Sequence, residues 1–405
     1  MNIKYIGALM SILLSLSLSL QAKDKALVID MTKAKVGDIP LSKFVSKLEY
    51  IPLELTKESL LKEPSVFLTD RYIITTEFAG KICLFDRKNG KYIRRLSQEG
   101  GGPDDYAHLM TNCTLDKERN VFYVDIWRKW RGIDIETNKC VNEVVKPEYR
   151  YIKEMRFQQK INNLCLYKDS LYLGFANDEQ VNDHCALYVF NKNGEVLKVI
   201  DNGLQAPTFK SSRSSCYNAG WFQEVGGNLY FSGASDNDTI YLVGEERLIP
   251  SIAFHFNETL GKKYETGKFD FGADDVEMVR RYKKGFLSYW RIFQMDRYIF
   301  FACSEWEGLS SNISFSNYYD KRSKQLYSCK REGERCGFVN DIDGLGTFFM
   351  EQLDGNKLVG LLMPEELLDY METHKDVKLS PTGKKVLENL QFDDNPIVVI
   401  ATLKE

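Results

Sequence analysis

The sequence predicts an all-β fold, a six-bladed β-propeller of four-stranded blades, with its ring closed by the N-terminal strand and short helical insertions on one face. Three observations carry that prediction. Aromatics are abundant, with 24 Phe, 22 Tyr and 5 Trp, while Pro is sparse at 10; such enrichment favours sheet. A strand–turn–strand–loop–strand–turn–strand unit recurs, with first turns at Asp70, Asp116, Asp169, Gly227, Asp296 and Asp354, spaced by 46, 53, 58, 69 and 58 residues. The 405-residue chain is also long for one compact core, which favours a core divided among repeats.

The N-terminus is set apart from that pattern. Lys4 precedes an apolar run from Tyr5 to Leu20 that ends in Leu20-Gln21-Ala22. A positive start, a short hydrophobic stretch and a small final residue predict a secretory signal peptide over residues 1–22. Residues 23–405 then form a single propeller domain, periplasmic or extracellular. No cysteine precedes Cys83, so no lipid-modified N-terminal cysteine is expected, and no other segment is long and apolar enough for a transmembrane helix. The nine cysteines sit singly in apolar patterns and read mostly as buried thiols. Cys329 and Cys336 are the pair expected if any disulfide forms. The absence of C-x-x-C argues against structural zinc.

The first blade shows the unit most clearly. Pro64 to Thr69 leads through Asp70-Arg71 into Tyr72 to Thr76; Lys81 to Phe85 then turns at Asp86-Arg87-Lys88-Asn89-Gly90 into Lys91 to Ser97. An Asn-Gly turn between apolar runs is a hairpin signal, and Asn193-Gly194 repeats it between Ala186–Phe190 and Glu195–Ile200. In the last unit, Thr347–Leu353, Lys357–Leu362 and Pro396–Leu403 supply three strands. The fourth is expected from Leu48-Glu49-Tyr50-Ile51-Pro52-Leu53, which removes an open sheet edge.

That closing segment, the Gly100-Gly101-Gly102-Pro103-Asp104-Asp105-Tyr106 end of the first blade, and Asn395-Pro396-Ile397-Val398-Val399 resemble a six-bladed β-propeller family of exported, mostly uncharacterised bacterial proteins, distantly similar to NHL-repeat propellers. The resemblance spans nearly the whole mature chain and implies architecture, not activity. It departs from the family pattern in having Gly102-Pro103-Asp104-Asp105-Tyr106 where relatives usually show Gly-Pro-Gly-Glu-Tyr.

Long loops are expected on one face: 98–110, 201–217, 257–284 and 332–345, with an insertion at 363–395. Loops positioned by rigid sheets carry function, so this face is the candidate site. Pro364 followed by Glu365 and Glu366 reads as a helix start, and 274–282 runs acidic to basic as a helix does. Trp127-Arg128-Lys129-Trp130-Arg131 and Glu305-Trp306-Glu307 are assigned to second-to-third strand loops. There, rings beside charged groups suit stacking on a sugar or a cation, whereas the plainer reading packs them between blades. His108, His184 and His374 fall in three segments of the same face, where acid–base or metal chemistry would use them; as lone loop histidines they need no such role. The net charge of −3 excludes nucleic-acid binding by bulk charge.

The leading reading is an exported, non-enzymatic binding protein for a carbohydrate or protein partner. Its candidate ligand-binding residues are Trp127, Arg128, Trp130, Arg131, His184, Glu305 and Trp306, with no metal site and no cofactor. The alternative is a hydrolase or lyase acting on carbohydrate, metal-assisted, on the same face.

Overall fold

The computed structural model describes residues 26–77, 81–97, 100, 102, 105, 113–126, 128–147, 161–168, 170–177, 184–205, 221–232, 239–255, 286–306 and 312–404. Strands β1 (Leu27–Asp30), β2 (Lys35–Gly37) and β3 (Val45–Pro52) precede the first blade. Blade one is β4 (Ser65–Leu68), β5 (Tyr72–Thr76), β6 (Ile82–Asp86) and β7 (Tyr92–Arg95). Blade two is β8 (Cys113–Asp116), β9 (Val121–Asp125), β10 (Lys129–Asp134) and β11 (Cys140–Val145). Blade three is β12 (Ile161–Tyr167), β13 (Leu171–Asn177), β14 (His184–Phe190) and β15 (Val196–Gln205). Blade four is β16 (Trp221–Val225), β17 (Asn228–Ser232), β18 (Thr239–Val243) and β19 (Leu248–His255).

Blade five is β20 (Phe286–Gln294), β21 (Tyr298–Trp306), β22 (Asn312–Asp320) and β23 (Gln325–Cys329). The connection to blade six carries β24 (Arg335–Cys336), β25 (Phe338–Val339) and β26 (Thr347–Phe348). Blade six is β27 (Met350–Asp354), β28 (Lys357–Leu362), β29 (Ile397–Leu403) and, from the other end of the chain, β3. The protein is therefore a six-bladed β-propeller. The first strand of each blade is innermost: β8 lies against β12, and β20 against β27.

The inter-strand turns follow a local rule. Asp86, Asp134 and Asp320 end the third strands of blades one, two and five, and Asn191 directly follows that of blade three. Their side-chain oxygens accept the backbone N–H of Lys88 at 2.9 Å, Thr137 at 2.6 Å, Asn193 at 2.9 Å and Arg322 at 2.9 Å. A left-handed residue completes each turn: Gly90, Asn138, Gly194 and Lys324, with φ of 71°, 59°, 81° and 53°. Short polar side chains that satisfy a nearby N–H favour such turns over a continued strand.

The core lies between blades. In β5, Ile73 packs toward blade six with Val359 and Val398, while Tyr72 and Ile74 pack toward blade two with Phe122 and Val124. In β9, Phe122 and Val124 face blade one, and Val121 and Tyr123 face blade three with Leu164 and Phe190. Successive side chains point to opposite faces of a sheet. A strand with a neighbour on both faces is therefore buried at every position, as Tyr72–Thr76 is.

Closure uses the expected N-terminal strand. Ile51 pairs with Val398 and Tyr50 with Val399 in an antiparallel ladder. An additional device precedes it: β1 pairs in parallel with β19, and β2 in parallel with β23. The N-terminal segment thus straps the outer edges of blades four and five before completing blade six. Ile29, Met31, Ile39, Leu41 and Phe44 of this strap are buried in the same cluster as Phe300, Phe315 and Tyr318.

Between β28 and β29 the insertion forms helices α1 (Pro364–Thr373), with Pro at its start and Glu365 and Glu366 in its first turn, and α2 (Pro381–Leu387). Ser380 caps α2 by accepting the Gly383 N–H at 3.0 Å. The Ser380 N–H in turn reaches the Asp343 carbonyl at 3.3 Å, which seats α2 on the blade five-to-six connection. The suggested helix at 274–282 lies outside the described residues. Cys329 and Cys336 are not joined; both are buried free thiols whose burial raises their pKa above the ordinary range. No helix among the described residues is long and apolar enough to cross a membrane.

Candidate functional site

Charged side chains gather where blades five and six meet, on the side of the long connections. Arg291 comes from the innermost strand of blade five, Glu351 from the innermost strand of blade six, and Arg335 from β24 between them. Arg291 Nη1 donates to Glu351 Oε2, and Arg335 Nη2 donates to Glu351 Oε1. The Arg335 guanidinium also lies over the Phe349 ring, 5.0 Å from its centroid. Burial first, and then the neighbouring Arg335 charge, pull the Arg291 pKa below its usual value.

Local backbone irregularities place these groups. The β20–β21 register shifts between Trp290 and Ile292, so Arg291 is the extra residue of a bulge, with φ of 57°. The β27–β28 register shifts between Met350 and Gln352, which makes Glu351 the extra residue of its own bulge. Bulges re-aim side chains and concentrate at functional sites. Arg335 arrives because the chain leaves β23 after Cys329 and returns alongside β22 as β24, pairing Arg335 with Ser314.

The intervening loop is tethered on every side. Lys330 Nζ pairs with Asp38 at 2.8 Å, joining it to the strap. Arg331 pairs with Glu305, and its guanidinium lies 4.4 Å from the Phe315 ring centroid. Glu305 is thus on this face, in an ion pair near the end of β21. Trp306 follows it and pairs across β20 and β22 with Phe286 and Asn312.

The other sequence candidates are elsewhere. Trp130 is not in a loop: it lies within β10, is fully buried, and stacks on Phe190 of blade three at 6.0 Å. Its ring fills the joint between blades two and three and is not offered to a ligand. Beneath it, Lys146 Nζ lies 4.7 Å from the ring centroid and binds the buried Asp125 carboxylate at 2.7 and 2.8 Å. Arg131 is held by Glu143 at 2.9 Å and by the Asp105 carbonyl. Hydrogen bonds from Lys129 and then Arg131 hold the Glu143 carboxyl below the usual glutamate range.

Arg128 is exposed, and its carbonyl accepts the Lys146 N–H at 2.9 Å. His184 opens β14, with its backbone opposite Gln205. His374 ends α1 stacked on Tyr370, with centroids 4.1 Å apart, and its Nδ1 lies 2.9 Å from Thr373 Oγ1. Trp127 and His108 lie outside the described residues. The predicted set therefore divides among blades two, three and five. Arg291 and Glu351 were missed because bulge positions carry no sequence mark, and Arg335 because a two-residue strand is too short to show a period. Among the described residues, no group of His, Cys, Asp and Glu is arranged to hold a metal ion.

The comparisons follow the fold. The family described as a domain of unknown function, DUF4934, matches residues 26–402. A solved Bacteroides fragilis NCTC 9343 protein, described as a candidate exported protein, is 16% identical, with a TM-score of 0.67 over 94% of this chain and 100% of that one. A DUF4221 family member from Bacteroides vulgatus ATCC 8482 is 12% identical, with a TM-score of 0.54 over 89% of this chain and 97% of that one. At these identities the likeness concerns the fold alone. No curated protein matches.

Proposed function

Because the chain belongs to the DUF4934 family, whose description assigns no activity, its function has to be argued from its own residues, and we propose that it is an exported propeller that binds a ligand on the long-connection face. The observation that carries this reading is the partly exposed Arg291–Glu351–Arg335 cluster, built from two bulges and a re-entrant strand at the blade five–six joint. A glycan or a protein partner is the ligand class. Rigid strands hold the charges, and the loop 330–334 with α1 forms the adjoining rim. Export rests on the Lys4–Ala22 segment and on the description of the Bacteroides fragilis neighbour.

Melting of the mature chain, Lys23 onward, with a panel of oligosaccharides and with a chelator tests this reading. A ligand at 100 times its dissociation constant adds about 2.7 kcal/mol, readily seen as a shift. Shifts with saccharides that Arg335→Gln removes support it. A drop with chelator restored by one divalent ion would favour the metal-assisted hydrolase or lyase instead. No shift with any saccharide would turn the search to protein partners.

A further inference from the structure

A third strand packed between two blades is expected to be apolar at its centre, as Ile82–Phe85 of β6 is. Strand β22 departs from that pattern: Ser314, Ser316 and Asn317 are all buried. Asn317 pairs with Ser328 of β23 in the antiparallel ladder, so the two side chains stand on one face of the sheet. Phe301 of β21 is opposite Asn317 and packs on Phe254 of β19, with ring centroids 4.9 Å apart. That face is therefore the one turned to blade four. On the outer side of the same row, Ser328 pairs with Val36 of the strap.

The hydrogen bonds of this row are incomplete. Asn317 Nδ2 donates to the Phe315 carbonyl at 3.1 Å and to the Phe301 carbonyl at 3.4 Å. Two carbonyl acceptors fix the orientation of the amide, since an oxygen in that place would face two other oxygens. Asn317 Oδ1 is thus turned away from both carbonyls, in a residue that is 0% exposed, and has no hydrogen-bond partner among the described residues. Ser328 Oγ, in a residue 1% exposed, has none either. Protein interiors satisfy such groups with ordered water where two or more of them converge. The amide oxygen only accepts, whereas the hydroxyl donates and accepts, so one water molecule can serve both.

We propose that Asn317 Oδ1 and Ser328 Oγ hold one internal water molecule in the joint between blades four and five. The site is distinct from the Arg291–Glu351–Arg335 cluster. Ser314, which pairs with Arg335, is three residues before Asn317 on β22 and so points to the opposite face, toward blade six. The proposal does not depend on the ligand-binding reading. The water ties β22 to β23 through their side chains, in addition to the ladder bonds between their backbones. Strand β2, laid along β23 at Ser328, separates the row from the outer rim, so this water exchanges with bulk only when the joint opens.

Three measurements on the mature chain test this. A high-resolution crystal structure is expected to show one ordered water within about 3.2 Å of both atoms. Direct contact of Ser328 Oγ with Asn317 Oδ1, or water at only one of the two, would overturn the site. Ser328→Ala takes a partner from the water and is expected to lower the melting temperature by about 1–2 °C. A raised melting temperature would mean that the substitution removes an unpaired buried hydroxyl, and would also overturn the site. Oxygen-17 relaxation dispersion counts long-lived internal waters in solution. Ser328→Val, whose methyl groups take the place of the water, is expected to hold one fewer than the parent; an equal count would contradict the proposal.

Discussion

Asn395 Oδ1 accepts the Leu61 backbone N–H at 2.8 Å, tying the entry of the last β-strand to the chain that leads into the first blade. The same amide donates to the Glu54 and Ser59 carbonyls at 2.9 and 2.8 Å. One buried side chain thus satisfies three backbone groups across the seam of the ring. Asn395→Ala leaves them unpaired and is expected to cost about 2–3 kcal/mol, since each orphaned buried group carries a desolvation penalty. Denaturant unfolding measures this directly; a loss within about 0.5 kcal/mol, as for an ordinary surface position, would contradict the seam.

The strap and the closing strand have separable effects. A chain starting at Asp38 loses β1 and β2 but keeps Leu41, Phe44 and β3; it is expected to melt lower while retaining its β circular dichroism. A chain starting at Glu54 loses the outer strand of blade six and is expected not to fold. Equal melting of all three forms would show that the ring does not depend on either element.

Trp130→Ala is expected to destabilise by about 3–5 kcal/mol, the range for removing a large aromatic from a packed core. Its effect on saccharide binding should follow only from lost stability. Weakened binding by a Trp130→Ala protein of undiminished stability would restore the ring to a ligand platform.

Glu143 gives a pH signature. Its folded pKa is lowered by Lys129 and Arg131, so its stabilisation is present above the unfolded glutamate value and is lost as pH falls through the folded one. The side chain is 35% exposed, and solvent screening limits the pair to about 0.5–1 kcal/mol. The stability gap between the parent and Glu143→Gln is expected to be open at neutral pH and to close in acid. A constant gap would remove the ion pair as its cause.

The sequence made the repeat and the seam legible through local chemistry. Asp86 and Asn191 announce their turns because a short polar side chain can satisfy a neighbouring N–H only in a tight bend. Tyr50-Ile51-Pro52 was recognisable as a strand without an adjacent partner. The strap was missed because three- and four-residue strands such as Lys35–Gly37 carry too few side chains to show a period. Trp130 misled because a ring between cations reads alike in a loop and in a strand whose alternate residues are buried. The arginine cluster was hidden for a different reason: its members come from three elements, and two of them occupy bulges that the two-residue alternation does not mark.

Hydrogen–deuterium exchange with and without an oligosaccharide that raises the melting temperature tests the placement of the binding site most directly. The account predicts slowed exchange in Phe286–Gln294, in 330–337 and in Met350–Asp354, with no change in the outer strands Cys140–Val145 and Val196–Gln205. Protection confined to those outer strands, with the blade five–six joint unaffected, would contradict it.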